Sequence, residues 1–121
     1  MVYKPHILGR QVENNACEYL KKQGLKLVAR NYRCRSGEID LIMQDGKILV
    51  FIEVRFRTSH SYGTGLDSVT KAKQLKIIRA AEYYLLVKHL TYKISCRFDV
   101  ISATFKEEKF DFFWVKNAFE S

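Results

Sequence analysis

The sequence predicts an α/β fold, a single domain over residues 1–121 in which a sheet is flanked by helices in the order αβββαββ. Three observations point there. Two segments carry apolar residues at helical spacing, one before and one after a run of strand-like segments. Asp45-Gly46, between two apolar runs, is a tight-turn signal. And 121 residues that are 47% hydrophobic suffice for one packed core but not for two.

Taken in order, Val12, Ala16, Tyr19 and Leu20 recur at helical spacing between Gly9 and Gln23, and Gly24 supplies the stop. Leu25 to Tyr32 has strand-like content. Ile39, Leu41 and Met43 then alternate with Glu38, Asp40 and Ile42, and a continuous apolar run, Ile48 to Val54, follows the turn. Residues 58 to 66, TSHSYGTGL, are rich in Gly, Ser and Thr and read as a loop. Gln74, Ile78, Ala81 and Leu85, with Ile77 and Tyr84 beside them, mark a second helix from about Thr70 to His89. Cys96 to Thr104 and Lys109 to Val115 close the chain as two strands, where the aromatics between Phe110 and Phe119 belong to core and strand.

Composition excludes several classes. One proline, six glycines and no repeat or low-complexity tract argue against disorder. No apolar run approaches the roughly 18 residues that span a bilayer, and MVYKPHILGR lacks the apolar region of a secretory signal, so no membrane association and a cytoplasmic location are expected. Cys17, Cys34 and Cys96 are far apart with no C-x-x-C, which suggests neither a disulfide framework nor a zinc site. The net charge of +8 gathers in two windows. Lys21 to Arg35 contains no acid, and Arg55 to Arg79 contains only Asp67. Such blocks suit a polyanion, and a solvated basic face is the competing explanation.

The hairpin raises the question of function. With Asp45-Gly46 as a two-residue turn, Gln44 faces Lys47, Glu38 faces Glu53 and Asp40 faces Phe51. Glu38, Asp40, Glu53, Arg55 and Arg57 then project to one side, and the apolar residues of both strands form the other. Asp40 and Glu53 become diagonal neighbours, about 7 Å apart at most. Opposed like charges destabilise a sheet, and a divalent cation would resolve the conflict, since Mg²⁺ accepts one or two carboxylates and retains waters. The alternative is an exposed ladder in which Arg55, Arg57 and Arg97 pair with the acids. Lys73 and Gln74 open the second helix, whose N-terminus would attract phosphate. Glu13 flanks the apolar stripe of the first helix in line with Cys17 and Leu20, where an acid has no packing role.

Gly37-Glu38-Ile39-Asp40, followed by an apolar strand ending Glu53-Val54-Arg55, resembles the Asp…Glu-x-Lys signature of the PD-(D/E)xK nuclease superfamily. The chain is more closely similar to the YraN-like family of small bacterial proteins, related to archaeal Holliday junction resolvases. The resemblance extends through Glu13, ARNYRCRSGEIDLI, LVFIEVRFR, the Tyr62-Gly63 loop, VTKAKQLKI, CRFDV and WVKNAF. It implies a mixed central sheet of the restriction-endonuclease type and phosphodiester cleavage by metal-activated water. Asp40 and Glu53 would hold Mg²⁺ or Mn²⁺ with the Val54 carbonyl and Glu13 would join them; Glu38, on the same face of the hairpin, is taken as a further metal ligand.

Two departures from the superfamily pattern matter. Arg55 occupies the lysine position, and arginine stays protonated at neutral pH, so it can stabilise phosphate charge but cannot act as a base. No proline precedes the acid pair. Lys73 is the candidate for the missing ammonium. The resulting expectation is a metal-dependent endonuclease of structured or branched DNA. Asp40, Glu53, Arg55 and Lys73 would be catalytic, and Arg33, Arg35, Arg57, Lys71 and Gln74 would hold nucleic acid. The alternative is a nucleic-acid-binding module of the same fold without catalysis. Resolvase relatives work as dimers, so the resemblance also implies a homodimer.

Overall fold

Helix α1 (Pro5–Lys22) starts four residues before the predicted boundary. Its Val12, Ala16, Cys17 and Leu20 are buried along one stripe. Gly24 ends it at φ +102°, and the Leu25 amide returns to the Leu20 carbonyl at 3.1 Å while Leu25 itself is buried, so the cap and a core contact form together. This computed structural model describes residues 5–57 and 69–121, with side chains from residue 9 onward; the predicted loop at 58 to 66, including Tyr62-Gly63, lies outside the described residues.

Five strands follow, β1 (Lys26–Cys34), β2 (Gly37–Asp45), β3 (Ile48–Arg57), β4 (Ser95–Lys106) and β5 (Lys109–Phe119), with helix α2 (Lys71–Val87) between β3 and β4. They form one sheet in chain order. β3 and β4 run parallel, with α2 between them in the chain, and every other pair is antiparallel. This is the mixed α/β sheet flanked by helices that the sequence predicts.

The β2–β3 register differs from the predicted one by two residues. Asp45 pairs with Ile48 and Met43 with Val50, which makes Gly46-Lys47 the loop, not Asp45-Gly46. Gly46 has φ +61°, and glycine in the first loop position is the requirement of a type II′ turn, whose twist matches the strands. Glu38 therefore does not face Glu53, and Phe51 faces Ile42 in place of Asp40.

Nor is one side of the hairpin left polar. Leu41, Met43, Val50 and Ile52 pack with Ile101 against Ala16, Cys17 and Leu20 of α1. Ile42, Leu49 and Phe51 pack with Phe98 and Val100 against Ile77, Ile78, Ala81 and Tyr84 of α2. Strands covered on both faces are apolar in a near-continuous run, as β3 is from Ile48 to Ile52.

The ends of α2 have separate causes. The Thr70 hydroxyl accepts a bond from the Lys73 amide at 3.2 Å and caps its first turn. Its C-terminus closes through the Lys88 amide on the Tyr84 carbonyl at 3.0 Å. At the other side of the sheet, Glu107 and Glu108 both take positive φ, the I′ loop that joins β4 to β5. The ladder there is interrupted beside Asp99, which is fully buried. Its carboxylate accepts from Arg97 Nε at 3.0 Å, Trp114 Nε1 at 2.9 Å and the Asn117 amide at 2.9 Å. Arg97 also reaches Asp45 at 2.9 Å, so this buried acid is fully partnered and ties the β2–β3 turn to β4. Cys17, Cys34 and Cys96 are free thiols, buried, half-buried and exposed respectively.

Candidate functional site

Strand alternation fails midway along β1 and near the start of β2, and the site is built there. On β1, Ala29 and Tyr32 both pack toward α2, although an odd spacing should send them to opposite faces. Ile39 and Ile42 on β2 do the same, while Leu41 between them faces α1. Arg30 pairs with Leu41 and Tyr32 with Ile39, so both resets fall in the same interval, at Asn31 and Asp40. Asn31 has φ +49°, a left-handed conformation that asparagine tolerates better than most residues.

Paired residues of β2 and β3 end at Leu41 and Ile52. Continued by one residue the ladder would oppose Asp40 to Glu53; instead the Val54 amide donates to Asp40 Oδ2 at 2.8 Å. The carboxylate thus takes the place of a backbone acceptor where the strands part. Glu53 is buried, and its Oε1 lies 3.4 Å from both Arg55 Nη1 and Lys73 Nζ. Lys73 reaches it from the first turn of α2. That helix comes close because residue 37 is glycine: a Cβ there would stand 2.9 Å from the Lys76 carbonyl oxygen.

The electrostatics are uneven. Asp40 has no ion pair among the described residues. Its carboxyl is pushed from 3.8 up to about 8, first by burial, then by the charge of Glu53, against the Val54 bond that lowers it. Glu13, on α1, is raised above the ordinary range by burial, opposed by a hydrogen bond from the Asn31 side chain. Glu38 lies on the exposed rim, 3.3 Å from Arg33 Nε. Among the described residues, no three His, Cys, Asp or Glu side chains form a group that could hold a metal ion. The donor set at the centre is the pair Asp40 and Glu53, with the Val54 peptide beside Asp40. Two carboxylates whose mutual repulsion is only partly neutralised fit a hard divalent cation that keeps several waters.

The other predicted residues are distributed around this centre. Arg33 is exposed at the end of β1, with exposed Arg35 just beyond it. Arg57 closes β3, and Lys71 begins α2. Gln74 is engaged locally, its Nε2 donating to the Val69 carbonyl at 3.1 Å. Of the alternative ladder of Arg55, Arg57 and Arg97, Arg55 meets Glu53, and Arg97 serves the Asp45–Asp99 network. Sequence reasoning missed Asn31 and the packing role of Gly37. An asparagine inside a strand pattern and the glycine of G-x-I-D are the signals that could have found them.

A family model described as Uncharacterised protein family UPF0102 matches residues 12–103. A UPF0102 protein of Nitrosococcus oceani is 47% identical over 111 residues, covering 92% of this chain and 90% of its own. One from Legionella pneumophila is 49% identical over 113 residues, 93% and 94% of the two chains. One from Alkalilimnicola ehrlichii is 48% identical over 116 residues, 95% and 89%.

Proposed function

The chain belongs to the UPF0102 family, the YraN-like family that its motifs resemble, and from its carboxylate site we propose a metal-dependent endonuclease of structured or branched DNA. The observation that carries this reading is Asp40, without a counter-cation among the described residues, set beside Glu53 where β2 and β3 part. A fold under no functional demand would place an amide or an apolar residue there.

Bound between these carboxylates, Mg²⁺ or Mn²⁺ would supply Lewis-acid polarisation of the scissile phosphate and a lowered pKa for water. The chain's own residues do the rest. Asp40 is held in place by the Val54 amide, and Glu53 by two cations. Lys73 and Arg55 add positive charge where the departing and equatorial phosphate oxygens become more negative. Arg55 does this without exchanging a proton. Arg33, Arg35, Arg57 and Lys71 hold the flanking backbone through phosphate contacts, which position the strand without reading its sequence.

A nucleic-acid-binding module without catalysis is the second reading. It is favoured by Glu53 being already paired to both Arg55 and Lys73, which compete with a metal for the same carboxylate. Labelled four-way junction, duplex and single strand, incubated with Mg²⁺, Mn²⁺ or EDTA, separate the two. Cation-dependent cleavage supports the nuclease, and retention without cleavage supports the binding module.

A further inference from the structure

We propose that α2 is a self-association surface on which a second copy of this chain docks antiparallel about a two-fold axis. The outward side of this helix carries a three-four repeat, Ala72, Leu75, Arg79, Glu82 and Leu86, all exposed. That spacing aligns the five side chains in one row along the helix, as the seam of a helix pair requires. Leu75 is 43% and Leu86 64% exposed, with Tyr83 at 49% and Val87 at 48% on the flank. Four large apolar residues on one helix face form a patch that a second surface would cover.

The charges identify that surface. Arg79 and Glu82 stand mid-seam, and neither takes an ion pair among the described residues. In a two-fold interface residue i meets j and j meets i. With the axis between Ala80 and Ala81, Leu75 meets the partner's Leu86, Arg79 meets the partner's Glu82, and both contacts recur by symmetry. Every seam layer from Leu75 to Leu86 is then complementary: apolar on apolar at the outside, opposite charges at the centre. A parallel copy would bring Arg79 onto Arg79 and Glu82 onto Glu82. An open groove of about 830 Å³, lined by Tyr83, Leu86, Tyr92, Ile94 and Phe98 among others, borders the seam and would be covered by the same partner.

Self-association does not depend on the nuclease reading, but it bears on it. Lys73 lies outside the seam, seven to eight residues from the axis. At 1.5 Å per residue its two copies stand on the order of 20 Å apart along the helix pair. Two sites facing two strands of one nucleic acid would follow.

The test is charge exchange, read by sedimentation equilibrium. Wild type is expected at twice the 14.2 kDa chain mass. Arg79→Glu alone and Glu82→Arg alone set like charges at the centre, and each should weaken the dimer at least tenfold. Mixing these two variants restores complementarity in a heterodimer only, and the double variant Arg79→Glu/Glu82→Arg restores it in a homodimer. Leu86→Lys, at a position exposed in the single chain, should break the dimer independently, and circular dichroism checks that each variant stays folded. A wild type that remains monomeric at up to roughly 100 µM, alone or holding an unrelated protein, overturns the proposal. So do single variants that associate like wild type, or a mixture no tighter than its components.

Discussion

Lys73 Nζ lies 3.4 Å from Glu53 Oε1, joining the first turn of α2 to the strand that carries one of the two central carboxylates. With Arg55 on the same oxygen, Glu53 is held by two cations, while among the described residues Asp40 beside it has only the Val54 amide. The behaviour of the site towards metal, protons and substitution turns on that asymmetry.

Cleavage of DNA should require a divalent cation. Asp40→Asn or Glu53→Gln should lower the rate by roughly 100-fold or more, while binding measured in Ca²⁺ or EDTA changes only a few-fold. An activity that survives EDTA, or substituted chains as active as wild type, would rule the metal mechanism out.

Asp40 should make stability fall as pH rises. Its folded pKa of about 8 lies above the ordinary 3.8, so between those values the folded chain keeps a proton that the unfolded chain releases. The contribution of the neutral form is complete below pH 4 and lost as pH climbs through 8. Asp40→Asn keeps an acceptor for the Val54 amide and removes the charge; at pH 8 its Tm should exceed wild type by roughly 5 °C or more. Asp40→Ala deserts that amide and should gain less or lose. Mn²⁺ should stabilise wild type and leave Asp40→Asn almost unmoved. Melting curves across pH, with and without cation, read all of this; a lower Tm for Asp40→Asn would show that the carboxylate is structurally favourable as it stands.

Gly37→Ala should disturb the site from outside it. The new Cβ would meet the Lys76 carbonyl oxygen at 2.9 Å, a backbone atom that moves only with its helix. A cost of about 1–3 kcal/mol is expected, together with retreat of Lys73 from Glu53. Denaturant titration gives the first quantity. The second predicts that Lys73→Gln, harmful in the wild-type chain, does little further damage to cleavage in the Gly37→Ala background; additive losses would contradict it.

Nucleic-acid binding should be governed by salt. Charge reversal of Arg33 with Arg35, or of Arg57 with Lys71, should reduce the slope of log affinity on log salt by about 0.9 for each phosphate that is no longer neutralised. Lys106 and Lys109 pair with each other at the exposed β4–β5 turn, and their reversal should matter much less. Equal effects from all three pairs would mean that the positive charge is a general property of the surface. A dominant effect of Lys106 and Lys109 would put the nucleic acid on another part of the molecule.

The element order, the two helix stripes, the presence of a turn between β2 and β3 and the identity of the hairpin acids are all legible in the amino-acid sequence. These rest on local properties: period, glycine conformation and helix caps, each contained within a few neighbouring residues. Helix α2, for example, is bounded to within two residues by Thr70 and the apolar row below it. What the acids face is a matter of tertiary packing alone. Which residue of Asp45-Gly46-Lys47 begins the loop moves every cross-strand partner by two, and that choice follows from the twist the flanking strands require. The reset of alternation at Asn31 and Asp40, the approach of α2 over Gly37, and the pairing of Arg97 with Asp45 and Asp99 join residues far apart in the chain. Asn31 and Gly37 mark two of these places in the sequence but not what they meet there, because the energies depend on burial and opposing charge that exist only once both helices have closed over the sheet.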